Sequence, residues 1–148
     1  MFRTAYRITG NVADAEDVLQ NVFLKLLRRE ATAEEIRKPE SYLRRAAVNA
    51  SLDLVRARTA TGELEPERLR TSGSCTDLGE LRDSLRQALS KLPPRSAEMF
   101  ALRFFEGHSN PEIARMLGVS QLAVAVTVHR ARRKLQQELE KQSKGARK

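Results

Sequence analysis

Ser109-Asn-Pro-Glu-Ile-Ala-Arg-Met-Leu-Gly-Val-Ser120 decides the fold of this chain. Ser109 and Glu112 have the spacing of a capping box, in which a hydroxyl satisfies free N–H groups at a helix start. Ile113, Ala114 and Leu117 follow as one apolar face. Gly118 supplies the positive φ of a tight turn, and Ser120 stands where it caps the next helix. Helix, glycine turn and capped helix make a helix-turn-helix, which sets its second helix in a DNA major groove. Ala114 is small where the helices cross, and Val119 and Val124 fill the angle between them.

Downstream, Ala123-Val-Ala-Val-Thr-Val128 alternates β-branched residues with period two, which favours a strand. The stretch nevertheless follows an N-cap and runs into His129-Arg-Ala-Arg-Arg-Lys-Leu135. Val124, Val128, Ala131 and Leu135 hold one helical register, so a helix is expected. His129 has no acidic or second histidine neighbour in this basic helix, which fits a DNA backbone better than a metal.

Upstream, Leu81, Leu85, Ala88, Leu89 and Leu92 form a helical stripe that Pro93-Pro94 stops. A further helix, Arg95 to Glu106, carries Met99, Phe100, Leu102, Phe104 and Phe105 as core, with Gly107 closing it.

The N-terminal part is also helical. Val18, Leu19, Val22, Phe23, Leu26 and Leu27 lie on one helix face, after Asp14 as a cap and Glu16 and Asp17 at the positive end of the dipole. The polar side shows Asp14, Asp17, Gln20 and Asn21, either a solvated face or a docking surface for a basic or polar partner. Pro39 and Ser41 start another helix, whose stripe is Leu43, Ala46, Ala47, Ala50 and Leu54. Arg44, Arg45, Arg56 and Arg58 lie off that stripe with Asn49 among them and Tyr42 nearby. Arginine binds phosphate, Asn hydrogen-bonds a base edge and an aromatic ring stacks on an exposed base.

Composition agrees with these local readings. The 148 residues carry a formal net charge of +8, which makes a polyanion the default partner. Two basic blocks flank a Thr-, Ser-, Gly- and Glu-rich acidic stretch that reads as a tether. One cysteine, Cys75, and two histidines exclude a disulfide framework and a cysteine-built zinc site. No carboxylate pair, metal cluster or phosphate loop points to an enzyme, and no cofactor or metal is expected. No targeting signal or apolar run of about 18 residues is present, so a cytoplasmic protein without membrane insertion is expected. The reading is an all-α chain of two small helical domains: 1–60, a flexible acidic linker 61–79, a helix-turn-helix domain 80–140 and a basic tail 141–148 that frays.

Together these stretches resemble the extracytoplasmic-function (ECF) group of the sigma factors of bacterial RNA polymerase. Ala5-Tyr-Arg-Ile-Thr-Gly-Asn and Asp14-Ala-Glu-Asp-Val-Leu-Gln-Asn-Val-Phe-Leu24 are similar to the polymerase-docking part of region 2. Pro39 through Arg56 resembles the part that melts and reads the −10 element. Leu92 through Leu135 resembles region 4, which reads the −35 element. The resemblance implies core polymerase docking by Asp14, Asp17, Gln20, Asn21 and Phe23. It implies −10 contacts by Arg45, Asn49, Arg56 and Arg58, and −35 contacts by Asn110, Ser120, Gln121, Ala125, Val126, His129 and Arg130. Core RNA polymerase, promoter DNA and an anti-sigma factor are the implied partners.

Departures from the family pattern stand beside these matches. Relatives have more chain before the first matching stretch, so region 2 reads as N-terminally shortened. Asn21 replaces a usual acidic residue. Leu122, Ala125, Val126 and Thr127 stand where relatives often place Gly, a cation, Ser and Arg, which removes two cationic contacts. Without polymerase, a stand-alone helix-turn-helix regulator or a degenerate sigma-like protein–protein adaptor remains an alternative reading of the same residues.

Overall fold

A computed structural model of the protein describes residues 1–28, 39–61 and 77–146. Every regular element among them is an α-helix. They are α1 (Phe2–Thr9), α2 (Val12–Leu27), α3 (Pro39–Ala60), α4 (Asp77–Ser90), α5 (Pro94–Phe104), α6 (Asn110–Leu117) and α7 (Gln121–Ala146). Cys75 and nearly all of the acidic stretch lie outside the described residues.

The first three helices pack on one another. Gly10 closes α1 at φ +85°, and its N–H reaches Tyr6 O at 2.8 Å. The left-handed conformation there is cheap only for glycine. The chain turns at once into α2, whose cap is Asn11 rather than Asp14: the Asn11 Oδ1 accepts from the Asp14 N–H at 2.8 Å. The cap falls three residues before the expected one because Asn11, not Asp14, has the extended backbone that a cap needs.

The last four helices form the second group. Pro94 begins α5, where a missing N–H costs nothing. Gly118 ends α6 at φ +66°. Ser109 Oγ accepts from Glu112 N, and Ser120 Oγ from Ala123 N. The alternating valine stretch is helical, and Val124, Val128, Ala131 and Leu135 are all buried on one side of α7. Tertiary burial of that stripe overrides the strand preference of the β-branched residues. The helix continues to Ala146, beyond the start of the expected frayed tail.

The two groups share a core. Leu43, Ala46, Ala50 and Leu54 of α3 pack against a small cluster of Ala5, Ala15, Val18 and Val22. A second stripe, Val48, Leu52 and Val55, joins Ile8 in a larger cluster with Leu89, Leu92, Met99, Leu102 and Ile113. The sequence reading recognised only the first stripe; α3 is buried on two sides. Each aliphatic side chain so enclosed is worth about 1.5–3 kcal/mol relative to exposure.

Polar ties cross the same seam. Arg7 Nη1 donates to Phe105 O and Arg86 Nε to Ile8 O, both at 2.8 Å. Burial pulls the Arg86 guanidinium below its ordinary pKa, and Asp83, which accepts from it at 2.8 Å, opposes that shift. Among the described residues, no helix is long and apolar enough to cross a membrane.

Candidate nucleic-acid interface

Three surfaces collect the residues singled out from the sequence. The first is the outer side of α2. Burying Val18 and Val22 leaves Asp17, Gln20, Asn21 and Phe23 exposed, with Phe23 and Leu24 each 48% accessible. Leu27 is also exposed. A polar row beside an apolar row, with no covering element among the described residues, is the composition of a protein-binding face. Asp14 does not share it. Its side chain is buried, takes a hydrogen bond from Asn11 Nδ2 at 2.9 Å and pairs with Arg58. Its first-turn position turns it inward toward α3, so its carboxylate serves the fold.

The second surface is on α3. Arg45, Asn49, Arg56 and Arg58 all lie on α3 but in different environments. Arg45 Nε donates to Glu98 Oε1 at 2.8 Å and Asn49 Nδ2 to the same oxygen at 3.3 Å. Arg45 Nη1 also reaches Met116 O at 3.4 Å. Arg56 pairs along its own helix with Asp53 at 3.3 Å. Arg58 is held by Asp14, which separates it from the Arg45–Asn49 pair. Its expected place on a DNA-facing side is therefore taken by an internal ion pair.

Glu98 and His108 had no signal in the sequence that marked them. Glu98 is one acidic residue in an apolar helix, and only the packing of α5 on α3 brings it to Arg45. His108 is buried at the turn before α6. Arg44 Nη1 lies 3.4 Å from its Nε2, and Glu112 Oε2 lies 2.9 Å from its Nδ1. The Arg44 donor requires Nε2 as acceptor, so Nδ1 carries the proton and donates to Glu112. That hydrogen bond holds the Glu112 carboxyl below its ordinary pKa, as does one from Ser109.

The third surface is the helix-turn-helix. Because α7 buries Val124, Val128, Ala131 and Leu135, it turns Gln121, Leu122, Val126, His129 and Arg130 outward. Ala125 is half-buried beside them. Ser120 is exposed and occupied as a cap. Asn110 is half-buried, and its Oδ1 has no hydrogen-bond partner among the described residues. The outward side is basic beyond His129 and apolar before it: Leu122 is 74% accessible. Such a helix can make phosphate contacts at its middle and apolar contacts with thymine methyl groups at its start.

A helical chain with a capped helix-turn-helix at one end and a cationic helix at the other belongs to the class of promoter-binding transcription proteins. Residues 1–61 match the family description "Sigma-70 region 2", and residues 82–135 match "Sigma-70, region 4". The chain is 33% identical to the RNA polymerase sigma-E factor of Streptomyces coelicolor, over 94% of this chain and 79% of that protein. It is 32% identical to the RNA polymerase sigma-E factor of Streptomyces avermitilis, over 99% of this chain and 83% of that protein. The ECF RNA polymerase sigma factor SigW of Bacillus subtilis is 26% identical over 94% of this chain and 82% of its own length. The chain belongs to the sigma-70 family of RNA polymerase sigma factors, in its ECF group.

Proposed function

We propose that this chain docks on core RNA polymerase through α2, captures unpaired −10 bases with α3, and reads the −35 duplex with α6 and α7. The observation that carries the reading is the α7 register. One stripe is buried, and Gln121, Val126, His129 and Arg130 stand together on the outer side of a capped helix-turn-helix. Asp17, Gln20, Asn21 and Phe23 form the docking face, with Asp14 holding α2 to α3. Asn49 and Arg45 form the base pocket, in which stacking and hydrogen bonding offset an unstacking cost of a few kcal/mol. The chain performs no covalent chemistry; polymerase does. Family membership is the support for an anti-sigma factor as regulator and for the cytoplasm as location.

Promoter-specific transcription by reconstituted polymerase tests this. Asn49→Ala is expected to impair initiation while leaving co-elution with core enzyme intact. Equal transcription by mutant and wild type would remove Asn49 from the pocket. Footprints separate the rival readings: a sigma factor protects duplex strongly only with core enzyme, a stand-alone regulator protects it unaided, and an adaptor does neither.

A further inference from the structure

Residues of α1 and α4, with Phe105 just after α5, line a cleft of about 620 Å³. None of the residues placed on the polymerase or promoter surfaces is among them. The size suits a small organic ligand. Four guanidinium groups line the cleft: Arg3 and Arg7, one turn apart on α1, and Arg82 and Arg86, one turn apart on α4. No carboxylate lines it among the described residues. Arg3 and Arg82 are exposed and make no ion pair or hydrogen bond among the described residues.

Arg86 is built into the wall. Its Nε donates to Ile8 O and its Nη1 to Asp83 Oδ1, both at 2.8 Å. A Cβ at Gly10 would collide with this guanidinium, so the glycine that closes α1 also makes room for the side chain against the backbone. Burial lowers the Arg86 pKa, and the like charge of Arg82 adds to that shift. Asp83 offsets one of the four charges, and the rest are left to solvent. A cleft lined by one sign of charge concentrates counter-ions, and a bound anion relieves the repulsion between its arginines.

The neighbouring row of α1 is aromatic. Phe2 and Tyr6 stack with ring centroids 6.2 Å apart and planes 18° apart, and both rings are exposed. Leu85 and Phe105 extend this apolar lining. An exposed ring offers a face on which a base stacks, and guanidinium groups bind phosphate oxygens in bidentate fashion. A simple anion uses only the arginines and a neutral ring only the aromatics. A ligand that carries both a ring and several negative charges uses the whole lining.

We propose that this cleft binds a nucleoside diphosphate, with the base on the Phe2–Tyr6 rings and the phosphates on Arg3, Arg82 and Arg86. The assignment is independent of the promoter reading, since it uses other residues.

Isothermal titration of the full chain with ADP, inorganic pyrophosphate and adenosine tests it. ADP is expected to bind at least tenfold more tightly than either fragment, because each satisfies only part of the lining. Arg82→Gln is expected to weaken ADP binding about tenfold, and Arg3→Gln, on the other helix, to repeat that loss. Arg132→Gln makes the same change in net charge at an exposed site on α7 and is expected to leave ADP binding unchanged. Tyr6→Ala is expected to weaken ADP and leave pyrophosphate unaffected. Equal ADP affinity in Arg82→Gln and Arg132→Gln reduces the effect to net charge and overturns the site, as does no binding at ~1 mM ADP. Pyrophosphate binding as tightly as ADP, or a Tyr6→Ala effect shared by both, leaves no place for a base and overturns the nucleotide assignment.

Discussion

Arg58 near the end of α3 and Asp14 in the first turn of α2 form an ion pair whose carboxylate is only 2% accessible. Both residues resemble functional positions of sigma factors, one at −10 DNA and one at polymerase, and each neutralises the other. Asp14→Ala leaves Arg58 without that partner and removes the acceptor of Asn11 Nδ2. The expected loss is about 2–3 kcal/mol, below the cost for a wholly buried pair because Arg58 is partly hydrated. Urea unfolding measures it. At low temperature the folded variant is expected to co-elute with core polymerase like the wild type.

The outer side of α2 is expected to behave oppositely. Phe23→Ala removes a half-exposed ring, so stability changes little. Retention by core polymerase is expected to fall by tenfold or more, since anchors of a protein interface often exceed ~1.4 kcal/mol on truncation. Titration of labelled core enzyme with each variant reads this directly.

Ala125 lies beside the outward row of α7 and lacks the cation often found there in relatives. Ala125→Lys is expected to strengthen binding to the −35 duplex and to steepen the salt dependence by about 0.9 in log–log slope, one added phosphate contact. An unchanged slope over a salt series would place this position away from the DNA backbone.

Gly118 holds φ +66° between α6 and α7, and a Cβ there meets no atom within 4 Å. The cost of Gly118→Ala is therefore backbone strain alone, about 1–2 kcal/mol. Chemical denaturation is expected to show this loss, with polymerase co-elution unchanged because α2 is remote from the turn.

Lys91 Nζ and Glu138 Oε2, 3.0 Å apart, join the turn after α4 to α7. The lysine hydrogen bond holds the Glu138 carboxyl below its ordinary value of 4.5. A carboxyl with a depressed folded pKa stabilises fully above its unfolded pKa and loses that contribution as pH falls through the folded one. Glu138→Gln is thus expected to flatten the fall of Tm between about pH 5 and pH 3, read by thermal melts across that range.

The helix-turn-helix was legible because its signals are local. Ser109, Gly118 and Ser120 act within a turn of their own positions, and the Val124–Leu135 stripe repeats inside one helix. The polar residues Asp17, Gln20 and Asn21 on α2 followed from the same periodicity, but Phe23, Leu26 and Leu27, which it puts on the apolar face, are exposed because, among the described residues, only Val18 and Val22 of that face meet α3 and α1. The cap of α2 was misplaced because Asn11 and Asp14 are both good caps, and only backbone geometry chooses between them.

What periodicity does not encode is which helices meet. Val48, Leu52 and Val55 lie off the alanine-rich stripe of α3, yet they join the larger core. That packing brings Glu98 to Arg45 and Asn49 across some fifty positions, 53 and 49 residues apart. It likewise turns Asp14 and Arg58 toward each other. Helix, cap and turn depend on interactions between near neighbours, so residue order settles them. Pairing a buried charge depends on desolvation, which exists only after distant surfaces have closed, so the tertiary structure alone decides which cations of this chain remain available to DNA.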